Sequence, residues 1–453
     1  MMLVMSTEPQ AIKPRVRVTV IGAGYLGLTH AVCLADLGHE VLAIDVDAGR
    51  IARAARGEAP FFEPGLEPLL RKNLDAGRLR FGAGYAEAGS FGDVHFLCVG
   101  TPQADADGRA DLSYLHRAAD ALAPHLRPGS LVVGKSTVPV GTARALLDRI
   151  RGHAPDGVQV DLAWNPEFLR EGHAVQDSLT PDRFVFGVTS AAAEQALHRV
   201  YAKPLAAGIP ALAMDLETAE LVKVAANAFL ATKISFINAM AEVCEATGAD
   251  VTALAQALGH DDRIGRKFLG PGLGFGGGCL PKDIRAFRAT AAGLGVSSVV
   301  DLLGTVDTIN QDRRERVIDL ARQAAGGTLR GTKIAVLGVA FKPNSDDIRD
   351  SPSLDICGRL DEAGAVVSVH DPVAMPNASR SRPGLRFAAS VFEAAEDAEV
   401  VLHLTEWADY QAIDPAALGA VVARRYLIDA RCALDAAAWQ AADWTVRILG
   451  RPD

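Results

Sequence analysis

The residues best suited to covalent chemistry lie between Gly272 and Asp283, where the sequence reads GLGFGGGCLPKD. Glycines remove side chains before Cys279, and Pro281 predicts the first turn of a helix. A thiol at a helix N-terminus meets unpaired N–H groups and the positive end of the helix dipole, which favour the thiolate. Asp283, four residues on, lies on the same helix face. Local sequence alone is equally compatible with a nucleophile and with a buried cysteine beside a flexible loop.

Three further segments place polar groups that such a thiol could use. Residues 136–142 (STVPVGT) follow a predicted strand, and residues 165–171 (NPEFLRE) gather two carboxylates, an amide and an arginine in a turn. Lys223 and Asn227 stand at i and i+4 on a helical face otherwise made of alanine and leucine. A lysine on an apolar face usually extends its ammonium group to solvent, so Lys223 alone does not establish a site.

A dinucleotide site is predicted near the N-terminus. Gly22, Gly24 and Gly27 form G-x-G-x-x-G between a β-branched strand and an apolar helix. The first glycine allows a tight turn, the second lets a pyrophosphate approach the backbone, and the third lets helix and strand pack closely. Asp45 ends the next strand, where a carboxylate meets a ribose 2′-hydroxyl and repels a 2′-phosphate, so NAD is favoured over NADP. Arg50, one turn further, is either a contact to the adenosine ribose or a solvated helix residue.

The hydrophobic pattern predicts a doubly wound α/β domain as the scaffold for these groups. Residues 17–27 and 40–45 predict a strand-helix-strand unit with a right-handed crossover. Helical patterns alternate with further predicted strands at residues 94–99, 131–134 and 184–187. From Leu216 to Gly248 the pattern becomes one long helix rich in alanine and leucine, which predicts a spine between domains.

A second α/β half is predicted in the C-terminal part of the chain. The strand-then-glycine pattern returns at residues 333–343 (KIAVLGVAFKP), and GAVVSVHD at 364–371 echoes GHEVLAID at 38–45. This half has only Gly338 where the first half has three glycines, so its turn could accept a nucleotide but lacks the pyrophosphate fingerprint. The interval between the halves is filled by predicted helical patterns at residues 251–291, around the glycines, and 300–325.

Composition limits the class of function. With 453 residues, 49% of them hydrophobic, the chain can bury two or three cores, which predicts a multidomain soluble protein. Its formal charge of -9, with basic and acidic side chains interspersed, argues against nucleic-acid binding. The six cysteines show neither a CxxC pair nor zinc spacing, so we expect no metal site. The start is not signal-like and no long uncharged apolar stretch follows, which predicts a cytoplasmic protein without a membrane partner.

Several long strings occur in a fixed order from Val16 to about Gly450. They are PFFEPGLEPLL, CVGTP, KSTVPVGT, NPEFLREG, AANAFLATKISFIN, RIGRKFLGPGLGFGGGCLPKD, VLGVAFKPNSDDIRDSPS and LIDAR. On these strings the sequence resembles the UDP-glucose/GDP-mannose dehydrogenase family over nearly its whole length. It departs from the family at Gly278, where serine is frequent, and at Val224 and Ala239, where tyrosine and glutamate are common.

The resemblance implies an α/β fold of two Rossmann-like doubly wound domains, joined by a long central helix and a helical dimerisation region. We place an NAD-binding domain at residues 1–212, a central helical domain with the cysteine loop at 213–325, and a C-terminal Rossmann-like UDP-sugar-binding domain at 326–453. The implied reaction oxidises the C6 alcohol of a nucleotide sugar to a carboxylate with two NAD+. Cys279 would capture the aldehyde as a thiohemiacetal and carry the acid as a thioester.

The resemblance also assigns site residues, position by position. Catalytic roles fall on Thr137, Glu167, Lys223, Asn227, Cys279 and Asp283. Cofactor contacts fall on Gly22, Gly24, Tyr25, Leu26, Gly27, Asp45, Arg50, Gly100, Thr101, Pro102, Ser136, Thr137, Glu171 and Arg349. Substrate contacts fall on Glu167, Phe168, Leu169, Arg170, Glu171, Lys223, Asn227, Arg263, Phe268, Leu269, Gly270, Gly274, Phe275, Gly276, Phe341, Lys342 and Arg431. Arg263 matches an arginine that reaches into the neighbouring subunit's site, which implies at least a homodimer.

Within this scheme Lys223 and Asn227 would donate to the developing alkoxide, and Asp283 would order or deprotonate water. Glu167 would be the base for hydrolysis, with Thr137 helping to position water. The segments RIGRKFL and FKP favour UDP-glucose, while GDP-mannose or an N-acetylated UDP-hexosamine remains an alternative. A hydroxyacid or sugar-phosphate dehydrogenase would stop after one hydride, and a non-catalytic sugar-nucleotide or NAD sensor would keep only the fold.

Overall fold

The computed structural model describes residues 15–82, 84–104 and 108–452. The chain start, in which we find no signal-like pattern, lies outside these residues. Two compact units are present. The N-terminal unit comprises the described residues up to 60 together with 64–101 and 112–221, and the C-terminal unit comprises 61–63, 102–111 and the described residues from 222 onwards. The three domain boundaries given above stay a prediction.

A mostly parallel sheet forms the centre of the N-terminal unit. Its strands are β1 (Arg17–Ile21), β2 (Glu40–Ile44), β3 (Leu79–Gly82), β4 (Val94–Leu97), β5 (Leu131–Gly134), β6 (Asp161–Trp164), β7 (Phe184–Val188) and β8 (Ala211–Met214). They lie in the order β3-β2-β1-β4-β5-β6-β7-β8, and only the β6–β7 pair is antiparallel. The first six strands thus have the strand order of a dinucleotide-binding fold, whose ligands bind beyond the carboxyl ends of the strands.

Helices connect these strands. They are α1 (Tyr25–Asp36), α2 (Ala48–Ala55), α3 (Leu66–Asp75), α4 (Tyr85–Phe91), α5 (Ser113–Leu122), α6 (Thr142–His153), α7 (Ala174–Leu179), α8 (Ala191–Val200) and α9 (Ala202–Ala206). The apolar side chains of α1, including Leu28 and Val32, are fully buried. Strands β4 and β5 are buried along their whole length, as expected for parallel strands covered on both faces.

The predicted spine is present as α10 (Leu216–Thr247), a single helix of 32 residues. Among the described residues α10 alone has the length and composition of a membrane-crossing helix. It nevertheless buries Lys223 and Asn227, which are 4% and 6% exposed. A lysine and an amide buried within a folded unit mark it as a core helix rather than one facing lipid.

The C-terminal unit continues with three helices around the glycine-rich segment. They are α11 (Val251–Gly259), α12 (Leu280–Gly293) and α13 (Ser297–Ala324). One apolar cluster joins Ala228 and Ala231 of α10 to Phe275 of the glycine segment, Ile284 of α12 and Val306 of α13. The segment before Cys279 is therefore packed against three helices. Cys279 itself is exposed, so the alternative of a buried cysteine is wrong.

The C-terminal half repeats the doubly wound arrangement, as the sequence echo predicted. Its strands are β9 (Lys333–Leu337), β10 (Val366–His370), β11 (Arg386–Phe387), β12 (Val400–His403), β13 (Tyr426–Asp429) and β14 (Thr445–Ile448), in the parallel order β11-β10-β9-β12-β13-β14. Its helices are α14 (Pro352–Glu362), α15 (Met375–Ser381), α16 (Val391–Ala395), α17 (Ala408–Gln411), α18 (Pro415–Gly419) and α19 (Ala436–Ala441). This is the same order as that of the first six strands, so the two halves share one topology.

Asp371, the counterpart of Asp45 in the repeat, has a different environment. It is fully buried and accepts hydrogen bonds from the N–H groups of Val339 and Ala340, at 2.8 and 3.0 Å, in the turn after β9. The indole of Trp407 donates to the same carboxylate at 3.3 Å. Asp371 thus holds the turn together from inside and is not presented to a ribose.

Candidate active site

Cys279 stands at the N-cap of α12 and is exposed, with Pro281 in the first turn as predicted. The N–H of Asp283 donates to the carbonyl of Cys279 at 2.9 Å, so the first helical turn joins the two residues. Cys98 shows the opposite environment, because burial raises the pKa of its thiol to about 12. Of the six cysteines, Cys279 is therefore the thiol placed for reaction with a ligand.

Asp283 is held from both sides. Its side chain is 2% exposed. The amide nitrogen of Asn227 donates to Oδ2 at 2.7 Å, and the ammonium group of Lys282 donates to Oδ1 at 2.6 Å. Lys282 escaped the sequence analysis because adjacent residues on a helix normally point apart, so its position gave no signal of this contact.

The polar face of α10 points inward. Lys223 and Asn227 lie one turn apart and are both buried, so the solvent-exposed alternative for Lys223 is wrong. A buried ammonium group and a buried amide on one helix face form a pair of hydrogen-bond donors. Asn227 also contacts Asp283. The hydrogen-bond donors of α10 therefore lie beside the carboxylate of α12.

The glycine-rich segment before Cys279 is fastened by side chains from distant helices. The N–H of Gly272 donates to Asn238 at 2.9 Å. Asn310 of α13, 1% exposed, both accepts from the N–H of Phe275 at 2.8 Å and donates to its carbonyl at 3.0 Å. Sequence reasoning missed Asn238 and Asn310. Their partners are backbone atoms of a distant segment, and the buried face around Asn310 also carries Arg313 and Arg314, so neither amide gave a clear signal.

Arg431 and Phe341 link this segment to the C-terminal sheet. The Arg431 guanidinium donates to the carbonyls of Gly274 at 3.1 Å, Phe341 at 3.2 Å and Leu404 at 2.7 Å. Phe341 follows β9 and Leu404 follows β12, the two strands at which the strand order reverses. The predicted substrate residues Gly274, Phe341 and Arg431 thus lie together at the point where doubly wound sheets bind ligands.

Arg349 lies against the backbone directly before the thiol. A Cβ atom added to Gly278 would stand 2.3 Å from the Cζ atom of Arg349. Asp347 holds the Arg349 guanidinium through bonds of 2.6 to 3.0 Å. Glycine in place of the family's frequent serine therefore makes room for this guanidinium beside Cys279.

The segment from Arg263 to Gly270 is basic and strained. Arg263, Arg266 and Lys267 are exposed, and Arg263 pairs with Asp261 at 2.7 Å. Phe268 has a φ of 64°, which a bulky side chain rarely adopts. Leu269 is buried beneath it. An acidic chain thus presents local cations on a strained turn where the resemblance places substrate contacts.

In the N-terminal unit the glycine turn leaves the start of α1 open. Gly24 is the N-cap and no side chain caps it, while the first turn contains no acidic residue. A Cβ atom on Gly24 would meet nothing within 4 Å, whereas one on Gly27 would lie 1.8 Å from the carbonyl oxygen of Gly22. Such an uncapped helix N-terminus fits the pyrophosphate of a dinucleotide. Tyr25 and Leu26 begin the helix, and the Tyr25 hydroxyl accepts from the N–H of Gly172 at 3.2 Å.

Asp45 follows β2 and its side chain is 7% exposed. It accepts from the N–H of Ala23 at 2.6 Å and from the N–H of Asp47 at 2.8 Å. The Arg50 guanidinium lies 3.2 Å from it. Arg50 therefore contacts the predicted ribose-binding carboxylate, while its own contact with the ribose stays a prediction.

The loops after β4 and β5 are tied together. The Thr101 hydroxyl donates to the carbonyl of Thr137 at 2.8 Å, and the Ser136 hydroxyl donates to the carbonyl of Val99 at 2.6 Å. The neighbouring Gly100 is exposed, and a Cβ atom there would meet nothing within 4 Å. These cofactor candidates thus share one edge of the sheet with the glycine turn. Pro102 belongs to the C-terminal unit.

Residues 165–170 form an irregular segment after β6, and the turn itself lies at residues 171–172. The Glu167 carboxylate accepts from the N–H of Leu169 at 2.8 Å, and Arg183 stacks over the ring of Phe168 at 4.1 Å. Arg170 pairs with Asp177 at 2.7 Å. Glu171 is buried. The segment is anchored by Asn165, whose carbonyl oxygen accepts from Tyr201 at 2.6 Å and from Lys135 at 3.0 Å.

The structure thus groups the predicted residues within each unit. In the C-terminal unit it joins Asn227, Cys279 and Asp283 by direct contacts and Gly274, Phe341 and Arg431 by others, with Lys223 on the face that carries Asn227. Gly270, Gly276 and Lys342 belong to the same segments, and the Lys342 ammonium lies 5.3 Å from the Phe341 ring centre. Across residues 15–82, 84–104 and 108–452, His, Cys, Asp and Glu form no group suited to a metal ion.

Known proteins resemble this chain over most of its length. Models of the UDP-glucose/GDP-mannose dehydrogenase family match the chain with their NAD binding domain at residues 16–205, their central domain at 217–312 and their UDP binding domain at 335–436. A UDP-glucose 6-dehydrogenase of Rhizobium meliloti (strain 1021) is 43% identical over 92% of this chain and 95% of its own length. YwqF of Bacillus subtilis (strain 168), also a UDP-glucose 6-dehydrogenase, is 40% identical over 91% and 93%. A solved UDP-glucose dehydrogenase of Pyrobaculum islandicum has a TM-score of 0.87 and 37% identity, covering 96% of this chain and 100% of that one.

Proposed function

The chain belongs to the UDP-glucose/GDP-mannose dehydrogenase family, and we propose that it oxidises UDP-glucose at C6 to UDP-glucuronate with two molecules of NAD+. The observation that carries this proposal is the exposed thiol of Cys279 one helical turn from Asp283, which Asn227 and Lys282 hold in place. A dehydrogenase that stops at the aldehyde needs no such thiol.

NAD fits the N-terminal unit, and when bound it supplies the hydride acceptor for both oxidation steps. The uncapped start of α1 beside Gly24 suits its pyrophosphate, and Asp45 suits a ribose hydroxyl. Arg50 partly neutralises Asp45, so discrimination against a 2′-phosphate rests on the balance of these two charges.

In the first oxidation C6 loses a hydride and its hydroxyl loses a proton, which leaves an aldehyde. The donors on α10, Lys223 and Asn227, stabilise the negative charge that develops on the C6 oxygen. Asp283 receives the proton, directly or through an ordered water. Its fixed orientation between Asn227 and Lys282 lowers the reorganisation that this transfer requires.

In the second oxidation the Cys279 thiolate forms a bond to C6, and the aldehyde becomes a thiohemiacetal. The same two donors on α10 stabilise its oxygen. Loss of the second hydride leaves a thioester. Water then adds to C6, the C–S bond breaks, and the thiolate and the carboxylic acid are released. Glu167 is the proposed base for this water and Thr137 helps to position it, an assignment that rests on the family resemblance.

The sugar nucleotide is proposed to bind beyond the carboxyl ends of β9 and β12. Arg431 and Phe341 meet the glycine-rich segment there, and Lys342 adds a cation next to the ring of Phe341. Two anionic phosphates require such local positive charge on a chain with a net charge of -9. Residues 167–171 of the N-terminal unit and the strained turn at Phe268 complete the proposed contacts.

A homodimer is proposed, with Arg263 acting in the partner's site. Helix α10 exposes the side chains of Phe229, Phe236 and Val243, which are 65%, 50% and 51% exposed. These three residues follow one another at intervals of seven. A seven-residue repeat of apolar side chains places them in one stripe, which favours packing against a second helix. Arg263 itself is 89% exposed and free to move away from Asp261 towards a neighbouring subunit.

A cytoplasmic location is also proposed. None of the six cysteines forms a disulfide, which fits a reducing compartment. UDP-glucose and NAD+ are both charged, and neither crosses a bilayer unaided. The proposed enzyme must therefore lie in the compartment that contains them.

End-point NADH stoichiometry tests the function. With UDP-glucose limiting and NAD+ in excess we expect two NADH per sugar, and one NADH would indicate a dehydrogenase that stops at the aldehyde. GDP-mannose and the N-acetylated UDP-hexosamines, assayed in parallel, test the alternative substrates. Ligand binding without NADH formation from any of these substrates would indicate the sensor.

A further inference from the structure

Glu220 has an unusual role for a glutamate near the start of a long helix. Glu220 lies on α10 and is 2% exposed. Its carboxylate binds backbone groups of another helix, at the beginning of α6. Oε2 accepts from the N–H of Gly141 and Oε1 from the N–H of Ala143, each at 2.6 Å. These are two of the N–H groups that a helix N-terminus leaves without partners, and α6 has no side-chain cap of its own.

The backbone that Glu220 fastens carries a predicted catalytic residue. Thr137 precedes Gly141 in the loop between β5 and α6. At its other end the loop is held by the bonds from Thr101 to Thr137 and from Ser136 to Val99. The loop is therefore fixed at two places, near the cofactor turn and at Glu220.

Glu220 also lies one helical turn before Lys223, and Asn227 follows one turn later on the same continuous helix. We propose that ionised Glu220 is a positioning residue that fastens the Thr137 loop to the start of α10, and that its protonation loosens the loop and slows oxidation. The proposal rests on the proposed function, because the rate concerned is that of sugar-nucleotide oxidation.

The chemistry of the two bonds gives the direction of the effect. An ionised carboxylate accepts from both N–H groups, whereas a protonated one turns one of its oxygens into a hydroxyl, which faces an N–H donor and cannot accept from it. Burial raises the pKa of Glu220 to about 7, and the N–H groups of Ala143 and Gly141 oppose the rise. The loop is thus fully held above neutral pH and partly released below it.

The charged groups near Glu220 do not replace it. Glu217, on the preceding turn of α10, raises the Glu220 pKa, and Arg144 of α6 lowers it. These two side chains bind each other at 2.6 Å near the surface. Asp215, before α10, is bonded to Thr218. Within this cluster Glu220 is therefore the carboxyl group that changes its ionisation near neutral pH.

Glu220→Gln tests the proposal, because glutamine keeps the shape and offers only one acceptor. We expect kcat above neutral pH to fall roughly tenfold to a hundredfold with little change in KM. The acid limb of the wild-type kcat profile near pH 7 should disappear in this variant. Glu217→Gln is the matched control. It removes a carboxylate that lies one helical turn from Glu220 and is partly exposed at the surface. Wild-type kcat and an unchanged acid limb in folded Glu220→Gln would overturn the proposal.

Amide hydrogen exchange on the wild-type protein decides the case in which Glu220→Gln does not fold. Protection of the N–H groups of Gly141 and Ala143, corrected for intrinsic exchange, should increase as pH rises through 7. Protection independent of pH would refute the role of Glu220. A wild-type protein inactive on every sugar nucleotide would instead refute the proposed function, and the exchange experiment would still report on the loop.

Discussion

The amide nitrogen of Asn227 on α10 donates to the Asp283 carboxylate on α12 over 2.7 Å. An amide nitrogen carries two hydrogens, so one is used by Asp283 and the second remains for a substrate oxygen. In the proposed mechanism Asn227 would therefore both hold Asp283, the proposed proton acceptor, and donate to the oxyanion. Both side chains are buried, which strengthens their interaction compared with the same contact in water.

Removing this amide should affect both chemistry and stability. In Asn227→Ala the buried Asp283 keeps Lys282 but loses a donor, which should lower the free energy of unfolding by about 1–3 kcal/mol. The loss of an oxyanion donor should lower kcat by roughly 10²–10³-fold. Steady-state NADH formation and urea unfolding measure the two effects. A variant that loses stability but keeps kcat would show that Asn227 only supports Asp283.

Cys279→Ser should stop the reaction before the acid forms. A serine hydroxyl at this exposed position is a far weaker nucleophile than a thiolate, so the thiohemiacetal route is closed while the fold is kept. Intact-protein mass spectrometry of stalled turnover should show a sugar-nucleotide adduct on the wild type and none on Cys279→Ser. Cys244→Ala, which removes a buried thiol on α10, is the control and should still give two NADH per sugar. Full acid formation by Cys279→Ser would exclude the covalent step.

Asp45 and Arg50 make a matched pair for cofactor choice. Asp45→Ala should raise KM for NAD+ about tenfold, because a ribose hydrogen bond is lost, and should relax discrimination against NADP+. Arg50→Ala should instead increase discrimination against NADP+. Without the guanidinium 3.2 Å away, the negative charge of Asp45 is no longer partly neutralised. Initial rates with both cofactors measure the two changes. Equal NAD+ affinity in Asp45→Ala and wild type would contradict the ribose contact.

Mixed subunits test whether Arg263 completes the partner's site. Arg263→Ala and Cys279→Ser should each be inactive alone. If Arg263 acts across the interface, a mixed dimer has one site with both residues intact, and random mixing should restore about a quarter of wild-type activity. Light scattering establishes the oligomeric state under the same conditions. Failure of mixed dimers to regain activity would place Arg263 in the site of its own subunit.

The local sequence pattern predicted the helices and strands well. The side-chain contacts that hold the site depend on residues far apart in the sequence, and these were not predicted. The spine was predicted from Leu216 to Gly248 and runs from Leu216 to Thr247, because an uninterrupted helical pattern ends at a glycine. The fastening of the glycine-rich segment by Asn238 and Asn310 was not predictable, since these residues come from separate helices and their partners are backbone atoms. The contact between Lys282 and Asp283 also depends on the local turn geometry that tertiary packing selects.

The stability of Glu220→Gln as a function of pH gives the sharpest distinction between a structural and a positioning role. Burial raises the pKa of Glu220 to about 7 from an ordinary value of 4.5, so the folded protein holds this proton more tightly than the unfolded chain. Between pH 4.5 and about 7 the unfolded chain has lost the proton and the folded protein has not, so the free energy of unfolding falls with rising pH. The full loss is of order 3 kcal/mol.

Glutamine does not ionise, so Glu220→Gln should escape this loss. Compared with wild type it should become progressively more stable as pH rises from 4.5 to 7, while its kcat stays low throughout. Urea unfolding at several pH values, with Glu217→Gln in parallel, measures the difference. A residue with only a structural role would lose stability and activity together when replaced. A gain in stability joined to a loss of rate would mean that the buried, ionised carboxylate destabilises the fold but holds the Thr137 loop in its working position.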